Sequence, residues 1–336
     1  MTSSKNGIAV AGSLIVDQHF AIDNYPDKSN LTKIRGTDRT LGGTGNMICQ
    51  LSKMDPDLPV RVSAILGEHS NGRFVRETLS AFPNVELKNI TYGDSTPATI
   101  VMDALDDNTR TFFFNGAGSD DYDYDNVDWD LIDSRIFHLE YLLLMKNIDS
   151  PDPEYGTGAA KILHEARRRG MITSIDMVSA IGMEGAADIV KASLKYTDIC
   201  TINELEAELV TGISINRKAV IDEEAAFKAL SLLKEYGVSK WAVIHSSSMG
   251  FGLDCETGET ISLRSLKLPE GFIKGTTGAG DAYCSGILLG AIRDMELRDA
   301  MKVATGSAAC SLSAVNGYDG LRPFEEVLKL YEESKF

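Results

Sequence analysis

Short runs of β-branched residues alternate with segments of helical periodicity from about Tyr155 onward, and this alternation restricts the possible fold more than any other feature of the sequence. The predicted elements in chain order are a helix over Ala159–Arg169, a strand over Ile172–Asp176, a helix before Lys195, a strand over Asp198–Ile202, a helix after Asn203, a helix over Glu223–Tyr236 and a strand over Lys240–His245. Such repeats are typical of stacked βαβ units, whose parallel strands form a sheet covered by helices on both faces. We therefore predict an α/β fold with a doubly wound, mostly parallel sheet.

The same pattern extends to both ends of the chain. The sequence predicts strands over Ile8–Ala11 and Arg61–Ile65, a helix over Met47–Met54, a hairpin over Gly250–Leu263 and helices over Ala282–Arg293 and Leu297–Leu312. No internal repeat and no low-complexity linker separates these elements. Residues 1–336 are therefore expected to form one large core rather than two independent domains.

Two segments interrupt the alternation. His19–Thr40 is polar and rich in turn residues, and Pro97–Phe114 alternates in the manner of an antiparallel hairpin. Both could form a small sheet apart from the main one. We expect a β lid over a cleft, made from insertions near residues 18–40 and 95–118.

The charge of the chain restricts its partners. The sequence has 33 basic and 49 acidic side chains, a net charge of −16, and no block of lysine or arginine. Nucleic acid and acidic membrane surfaces are therefore disfavoured as partners, because binding to them depends on neutralising phosphates. No apolar run approaches the ~20 residues needed to span a bilayer, and the five cysteines form no Cys-x-x-Cys pair. We expect a soluble cytoplasmic protein with reduced thiols and no membrane partner.

The segment Lys274–Gly286 is a glycine-rich turn that runs directly into an apolar helix. The first amide groups of a helix have no partner within the helix and lie at its positive end, so they can bind an anion. Asp281 stands in the first turn, where its carboxylate could accept a proton from an attacking hydroxyl group. The alternative is that Asp281 only stabilises the helix dipole and that the glycines permit tight packing. Neither a Walker A loop nor a Gly-x-Gly-x-x-Gly fingerprint after a strand is present.

Gly278-Ala279-Gly280-Asp281 resembles the signature of the ribokinase family, the pfkB-type carbohydrate kinases. The resemblance implies a ribokinase-like fold and transfer of phosphate from ATP to a hydroxyl of a small sugar, a pentose or hexose such as ribose or fructose. It assigns the role of catalytic base to Asp281. The backbone amides of Gly278, Ala279 and Gly280 would then stabilise the transferring phosphate, which is the kind of help that phosphoryl transfer needs.

Further matches to the family lie on the acceptor side. Asp17 falls where family members bind sugar hydroxyls, although an exposed turn aspartate is the ordinary alternative. The run Gly42-Gly43-Thr44-Gly45-Asn46 resembles the family's double-glycine turn, which makes Gly42, Gly43 and Asn46 substrate-binding candidates. Glu140 falls at a sugar contact of ribokinase-like members, and Asp176 ends the next predicted strand.

On the nucleotide side, Asn203 and Glu206 match the family's Asn-x-x-Glu motif, which helps to organise ATP and Mg²⁺; the resemblance implies that the metal is bound through water. The same spacing is that of a helix capping box, and the sequence alone leaves both readings open. Further ATP-binding candidates by resemblance are Ser246, Ser247, Gly250, Thr276, Gly278 and Gly280.

The chain departs from the family pattern in several places. Gly275 stands where many members have an aspartate that helps to bind a monovalent cation, so activation by such a cation is left open. Ile15 replaces a sugar-binding asparagine of ribokinases proper, and Ser247 replaces the first glycine of a nucleotide-side motif. Ribose is therefore not singled out as the acceptor.

Three other functions remain open at this stage. A nucleoside kinase of the same family would share the catalytic residues and have an apolar, aromatic-lined acceptor pocket. A sugar sensor would bind without turnover, which the intact run Gly278–Asp281 argues against. A dinucleotide oxidoreductase is disfavoured by the missing phosphate fingerprint. Family resemblance also suggests a homodimer formed through the lid.

Overall fold

The main sheet is built as the alternation predicts. The structure is a computed structural model and describes residues 5–107, 109–180, 182–217 and 220–334. The strands are β1 (Ile8–Gly12), β2 (Leu14–Ile22), β3 (Ile34–Gly43), β4 (Val60–Gly67), β5 (Val85–Gly93), β6 (Ala98–Ala104), β7 (Arg110–Asn115), β8 (Ile136–Leu142), β9 (Pro151–Asp152), β10 (Gly156–Thr157), β11 (Ile172–Met177), β12 (Ile199–Asn203), β13 (Asn216–Arg217), β14 (Val220–Ile221), β15 (Trp241–His245), β16 (Met249–Asp254) and β17 (Thr260–Arg264). The helices are α1 (Thr44–Met54), α2 (Ser70–Ser80), α3 (Lys146–Asp149), α4 (Gly158–Arg168), α5 (Ala186–Leu194), α6 (Glu204–Thr211), α7 (Glu223–Tyr236), α8 (Ala279–Ile292), α9 (Leu297–Ser311) and α10 (Phe324–Glu333).

Within these residues the main sheet has the strand order β17-β16-β15-β12-β11-β8-β1-β4-β5. The seven strands from β15 to β5 in that order pair in parallel, and β16 and β17 are added antiparallel at one edge. This confirms the prediction of a mostly parallel sheet that ends in a hairpin.

Both faces of the sheet are covered. Along β1, Ile8 and Val10 pack into one hydrophobic core with α1, α8 and α9, whereas Ala9 and Ala11 pack into a second core with α4 and α7. Successive side chains of a strand point to opposite faces, so this division shows that helices lie on each side. The doubly wound arrangement is therefore confirmed.

A separate four-stranded sheet has the order β3-β2-β6-β7. It contains both segments that interrupt the alternation, and it extends beyond the expected boundaries of the first one, because β2 begins at Leu14 and β3 ends at Gly43. The pairing of β2 with β6 is parallel, and the other two pairings are antiparallel. We call these four strands the small sheet.

The structure contains no membrane-spanning helix among the residues it describes. None of their helices combines the length and the apolar character that crossing a bilayer requires.

Candidate active site

A cavity of about 570 Å³ lies where the main sheet meets the small sheet. It opens at the carboxyl ends of β8, β11, β12 and β15, which is the edge where doubly wound sheets place their ligands. The lining residues come from both sheets, from α8 and from the loops between them: Ile15, Asp17, Gly43, Asn46, Thr99, Phe112, Phe114, Tyr141, Leu144, Asp176, Met177, Val178, Ser179, Asn203, Glu206, His245, Thr277, Gly278, Gly280 and Asp281. We call it the acceptor cavity.

Asp281 lies in the first turn of α8, and both of its carboxylate oxygens accept hydrogen bonds. Asn46 Nδ2 donates to Oδ2 at 2.8 Å, and the Tyr141 hydroxyl donates to Oδ1. Asp281 itself is only 8% exposed, and burial raises the pKa of its carboxyl group despite these two hydrogen bonds, which lower it. A carboxylate with a raised pKa is a stronger base, which is what removing a proton from an alcohol requires.

The start of α8 is shaped to leave its first amides free. Gly278 is the N-cap residue with φ 74°, a left-handed conformation that favours glycine, and it offers no side-chain cap. A β-carbon on Gly278 would lie 2.5 Å from the α-carbon of Gly317. Gln50 joins the two segments, because its Nε2 donates to the carbonyl oxygens of Gly278 (3.0 Å) and Gly317 (2.8 Å). The amides of Ala279 and Gly280 therefore lie uncapped at the positive end of α8, where they could bind an anion.

Asp17 lies on β2 and reaches the cavity from the small sheet. It pairs in register with Thr99 of β6, and the Thr99 hydroxyl lowers the pKa of Asp17, although burial raises it overall. Gly42 gives the carboxylate its space, since a β-carbon there would lie 2.4 Å from Asp17 Oδ2. Gly43 then starts α1 with φ 57° and lines the cavity beside it. The structure thus brings these acceptor-side candidates together with Asp281.

Glu140 is fully buried behind the cavity. Its Oε2 lies 3.2 Å from His138 Nε2, and its Oε1 has no hydrogen-bond partner among the described residues. Oxygens of Glu140, Asp176 and Asp281 lie within 4.8 Å of one another. Burial, and then the charges of Asp281 and Asp176, raise the pKa of Glu140 well above its usual range. Burial also lowers the pKa of His138 to about 3, so the imidazole is neutral and does not neutralise this cluster.

Asn203 and Glu206 form the capping box at the start of α6. The Asn203 side chain accepts from the backbone amides of Leu205 and Glu206 at 2.9 Å each, and Glu206 Oε2 accepts from the Asn203 amide at 2.8 Å. Glu206 Oε1 also accepts from Ser179 Oγ at 2.8 Å. The same two residues line the acceptor cavity. The two readings of the motif are therefore compatible, because the cap fixes side chains that face a ligand space.

These residues fit the Mg²⁺ that the family implies. Both oxygens of Glu206 already accept hydrogen bonds from Ser179 or Asn203, so the carboxylate is arranged for contact through water. Mg²⁺ keeps several of its waters when it binds beside carboxylates and phosphates. Burial raises the pKa of Glu206 to about 7, and a nearby cation would favour its ionised form.

The remaining nucleotide-side candidates do not line the acceptor cavity. Ser246 and Ser247 lie in the turn after β15, where Ser246 Oγ accepts from the Met249 amide at 3.0 Å. Gly250 is buried in β16, and a β-carbon there would lie 2.3 Å from the Tyr283 hydroxyl oxygen. Thr276 faces a second cavity of about 960 Å³ between the small sheet and the segment before α8. Their assignment to ATP stays a prediction.

Four residues with clear contacts in or beside the site were missed by the sequence reasoning. Three of them are Tyr141, Gln50 and His138, which contact Asp281, the start of α8 and Glu140 respectively. A usable signal existed only for His138, since two polar residues spaced by two in an apolar strand indicate a polar stripe on a buried face. Arg110 of β7, which donates to Thr277 Oγ1 at 2.5 Å, was also missed.

Comparison with known proteins agrees with the geometry. Ribokinase of Haemophilus influenzae is 26% identical to this chain over 148 residues. The match covers 42% of this chain and 43% of that protein. The chain spans about two fifths of the length of the curated relatives it matches. The structure of Arabidopsis thaliana ribokinase complexed with ribose and ATP is similar with a TM-score of 0.77 at 18% identity, covering 98% of this chain and 99% of that one. The Methanocaldococcus jannaschii nucleoside kinase, an archaeal member of the ribokinase family, gives a TM-score of 0.72 at 15% identity, covering 98% and 100%. Both likenesses show a shared ribokinase-like fold.

The family model described as pfkB family carbohydrate kinase matches residues 5–322, which is nearly the whole chain. The protein therefore belongs to the pfkB family of carbohydrate kinases.

Proposed function

We propose that this protein is an ATP-dependent kinase that phosphorylates a hydroxyl group of a small, uncharged sugar, with Asp281 as the general base. One observation carries the proposal. The carboxylate of Asp281 and the uncapped amides at the start of α8 face the same cavity as Asp17. A base, an anion-binding group and a carboxylate that can accept hydrogen bonds from substrate hydroxyls are therefore brought together in one space. Family membership and the likeness to a ribokinase complexed with ribose and ATP support the same reaction.

In the proposed reaction the acceptor hydroxyl donates a hydrogen bond to Asp281 and passes its proton to that carboxylate as the new O–P bond forms, while the bond from the γ-phosphorus to the bridging oxygen breaks and ADP leaves with that oxygen. The amides of Gly278, Ala279 and Gly280 stabilise the charge on the transferring phosphoryl group. Asp17 and Asn46 orient the acceptor, because carboxylate and amide groups bind sugar hydroxyls well. Bound Mg²⁺, held through water near Asn203 and Glu206, would neutralise charge on the phosphates of ATP.

The charge of the acceptor cavity supports an uncharged acceptor. Four carboxylates line it, namely Asp17, Asp176, Glu206 and Asp281, and no lysine or arginine does so within residues 5–107, 109–180, 182–217 and 220–334. His245 is the lining imidazole, and burial lowers its pKa to about 4, so it is neutral at pH 7. A sugar phosphate or sugar acid would enter this cavity without a cationic partner, which is costly for a desolvated anion.

A second candidate, a nucleoside kinase, is favoured by a specific observation. Five apolar or aromatic residues are among those that line the cavity: Ile15, Phe112, Phe114, Tyr141 and Leu144. Aromatic rings of this kind could stack on a planar base. A coupled assay with ATP and Mg²⁺ over free pentoses, hexoses, sugar phosphates and nucleosides decides between the two candidates. Turnover of nucleosides but of no free sugar would replace the first candidate with the second.

The small sheet is proposed to act as a lid. Arg110 already links it to the segment before α8 through Thr277, and closing over bound substrates would exclude water that could otherwise hydrolyse ATP.

A homodimer through this sheet is also proposed. Phe113 and its register partner Ile100 are 48% and 40% exposed, on the face opposite the cavity-lining Phe112 and Phe114. Light scattering of the wild-type protein and a Phe113→Lys variant tests it.

The test of the function is the Asp281→Asn variant. We expect it to bind ATP and the acceptor while turnover falls by orders of magnitude, because the amide is not a base. Asp299→Asn is the matched control, since Asp299 is the third residue of α9 as Asp281 is of α8. If Asp281 were only a stabiliser of the first helical turn, both variants would lose a little stability and keep their activity. Wild-type turnover by Asp281→Asn would overturn the proposal.

A further inference from the structure

We propose that Tyr141 is a positioning residue for the reaction, which fixes the orientation and the ionised state of the Asp281 carboxylate through its hydroxyl group. This inference rests on the proposed role of Asp281 as the base. The carrying observation is the hydrogen bond from the Tyr141 hydroxyl to Asp281 Oδ1, between residues that are 140 positions apart in the chain.

The two donors to Asp281 come from different structural elements. Asn46 belongs to α1 and donates to Oδ2, whereas Tyr141 belongs to β8 and donates to Oδ1. Two donors on opposite oxygens prevent the carboxylate from rotating about its last side-chain bond. Each carboxylate oxygen can accept more than one hydrogen bond, so both oxygens keep acceptor capacity for a substrate hydroxyl. Tyr141 therefore fixes the orientation of the Asp281 carboxylate and leaves it able to accept a hydrogen bond from the substrate.

The charges around Asp281 show why a neutral donor matters. From β2 it faces Asp17, from β8 Glu140, from β11 Asp176, and from β15 the neutral His245 beside Gly280. On α8 itself, Cys284 is a titratable residue that interacts with it. No lysine or arginine in the described part of the chain forms an ion pair with Asp281. Its negative charge therefore depends on Asn46 and Tyr141 rather than on a cationic side chain.

Tyr141 is suited to this role because it stays protonated. Burial and the charge of Asp281 raise the pKa of Tyr141 well above its usual range, so the hydroxyl remains a donor at neutral pH. Tyr141 also lines the acceptor cavity. Removing the hydroxyl alone should leave this packing in place.

The test compares Tyr141→Phe with Tyr122→Phe. Tyr122 is a matched control because its buried hydroxyl lies 2.8 Å from Ser63 Oγ, in the core and outside both cavities. Loss of a hydrogen bond to a charged group should lower kcat of Tyr141→Phe by about tenfold to a hundredfold. The acid limb of kcat/KM should move to higher pH by about one unit, with little change in the KM for ATP. Wild-type kcat and an unmoved acid limb in Tyr141→Phe would overturn the inference.

A second readout does not depend on turnover. Protein labelled with ¹³C at the aspartate carboxyl groups allows Asp281 to be titrated directly by NMR, with its resonance assigned by its loss in Asp281→Asn. The Asp281 resonance should titrate at higher pH in Tyr141→Phe than in the wild type or in Tyr122→Phe. An unshifted titration would contradict the inference even if no acceptor were found. Failure of the proposed function would appear separately, as a wild-type protein that turns over no acceptor.

Replacement of Tyr141 by 3-fluorotyrosine covers the case in which Tyr141→Phe does not fold. The fluorine withdraws electrons and makes the hydroxyl a stronger donor, while the ring and the contact are kept. The Asp281 titration should then move to lower pH, opposite to the change in Tyr141→Phe. A titration identical to that of the wild type would count against a positioning role.

Discussion

Gly42 lies directly against the carboxylate of Asp17, and a β-carbon at position 42 would be 2.4 Å from Asp17 Oδ2 and 2.8 Å from its Cγ. The two residues belong to neighbouring antiparallel strands of the small sheet. The glycine therefore does more than permit a turn. It sets how deeply the Asp17 side chain can sit in the acceptor cavity.

Gly42→Ala should displace Asp17 and weaken acceptor binding. Because small misplacements of orienting groups can cost up to about a hundredfold, we expect kcat/KM for the acceptor to fall tenfold to a hundredfold. The KM for ATP should change little, since Asp17 lies on the acceptor side. Steady-state kinetics with each substrate varied in turn measure this. Gly36→Ala on the same strand is the control, because a β-carbon there meets nothing within 4 Å.

Gly278→Ala should damage both stability and catalysis. The residue has φ 74°, and its β-carbon would lie 2.5 Å from the α-carbon of Gly317. Gly258→Ala shares a positive φ of 81° but has open space around it, so it isolates the backbone strain of about 1–2 kcal/mol. We expect Gly278→Ala to lose more stability than Gly258→Ala and at least a hundredfold in kcat. Equal melting temperatures and equal kcat in the two variants would show that the contact with Gly317 is unimportant.

Glu206 should make the protein less stable as the pH rises. Burial raises its pKa from 4.5 to about 7. Between these values the folded chain binds more protons than the unfolded chain, so the free energy of unfolding falls as pH rises from about 4.5 to about 7 and stays lower above that. Glu206→Gln, which resembles the protonated form, should remove this fall, on the order of 3 kcal/mol between pH 5 and pH 8.

Urea unfolding at several pH values without Mg²⁺ measures the effect of Glu206. The control is Glu208→Gln on the same helix, where the side chain is only partly buried. If the wild type and Glu206→Gln show parallel stability curves over this pH range, Glu206 is not held protonated in the folded state.

Turnover should be independent of K⁺. A β-carbon at Gly275 would lie 2.5 Å from the carbonyl oxygen of Val315 and 2.9 Å from that of Ala314, so the position cannot hold the aspartate found in many family members without movement of that segment. We expect kcat in KCl, NaCl and choline chloride at equal ionic strength to agree within twofold. Stimulation of tenfold or more by K⁺ would mean that other groups supply the cation site.

The order and type of the core elements could be predicted because local signals agree with the fold. Helix α7 was predicted with the bounds Glu223–Tyr236 that the structure has. Its Asp222 side chain accepts from the Ala225 amide at 3.0 Å, and Gly237 follows its last turn with φ 130°. The N-cap residue, the helical periodicity of the apolar residues and the terminating glycine all lie within one short segment of sequence, so no distant contact is needed to predict the helix.

The acceptor side of the site could be predicted only in part. Resemblance assigned Asp17, Gly42 and Asn46, and the structure brings them to Asp281. Tyr141 gave no signal, because a single tyrosine near the end of a strand is usually a packing residue and its partner lies 140 residues away. Contacts of that kind depend on strand order and register, which a single sequence does not contain.

Gly250 illustrates a different limit. Sequence resemblance assigned it to the nucleotide, whereas the structure also gives a packing reason for glycine, the Tyr283 hydroxyl oxygen at 2.3 Å from a β-carbon. A glycine in a motif can thus serve the fold, the ligand or both. Only the surrounding atoms separate these reasons, and here they account for the glycine without a ligand.

The double hydrogen bond from Gln50 to Gly278 and Gly317 has a consequence for biosynthesis. Asn46 and Gln50 contact Asp281 and the start of α8, but these contacts cannot form until the chain around Gly278 and Gly317 has left the ribosome. Strand β1 likewise lacks one of its two neighbours until β8 has been made. Contacts this distant in sequence form late and leave partly folded chains exposed to aggregation. The candidate site of the nascent chain is therefore expected to form late, together with the core that α8 and α9 complete on the same face of the sheet.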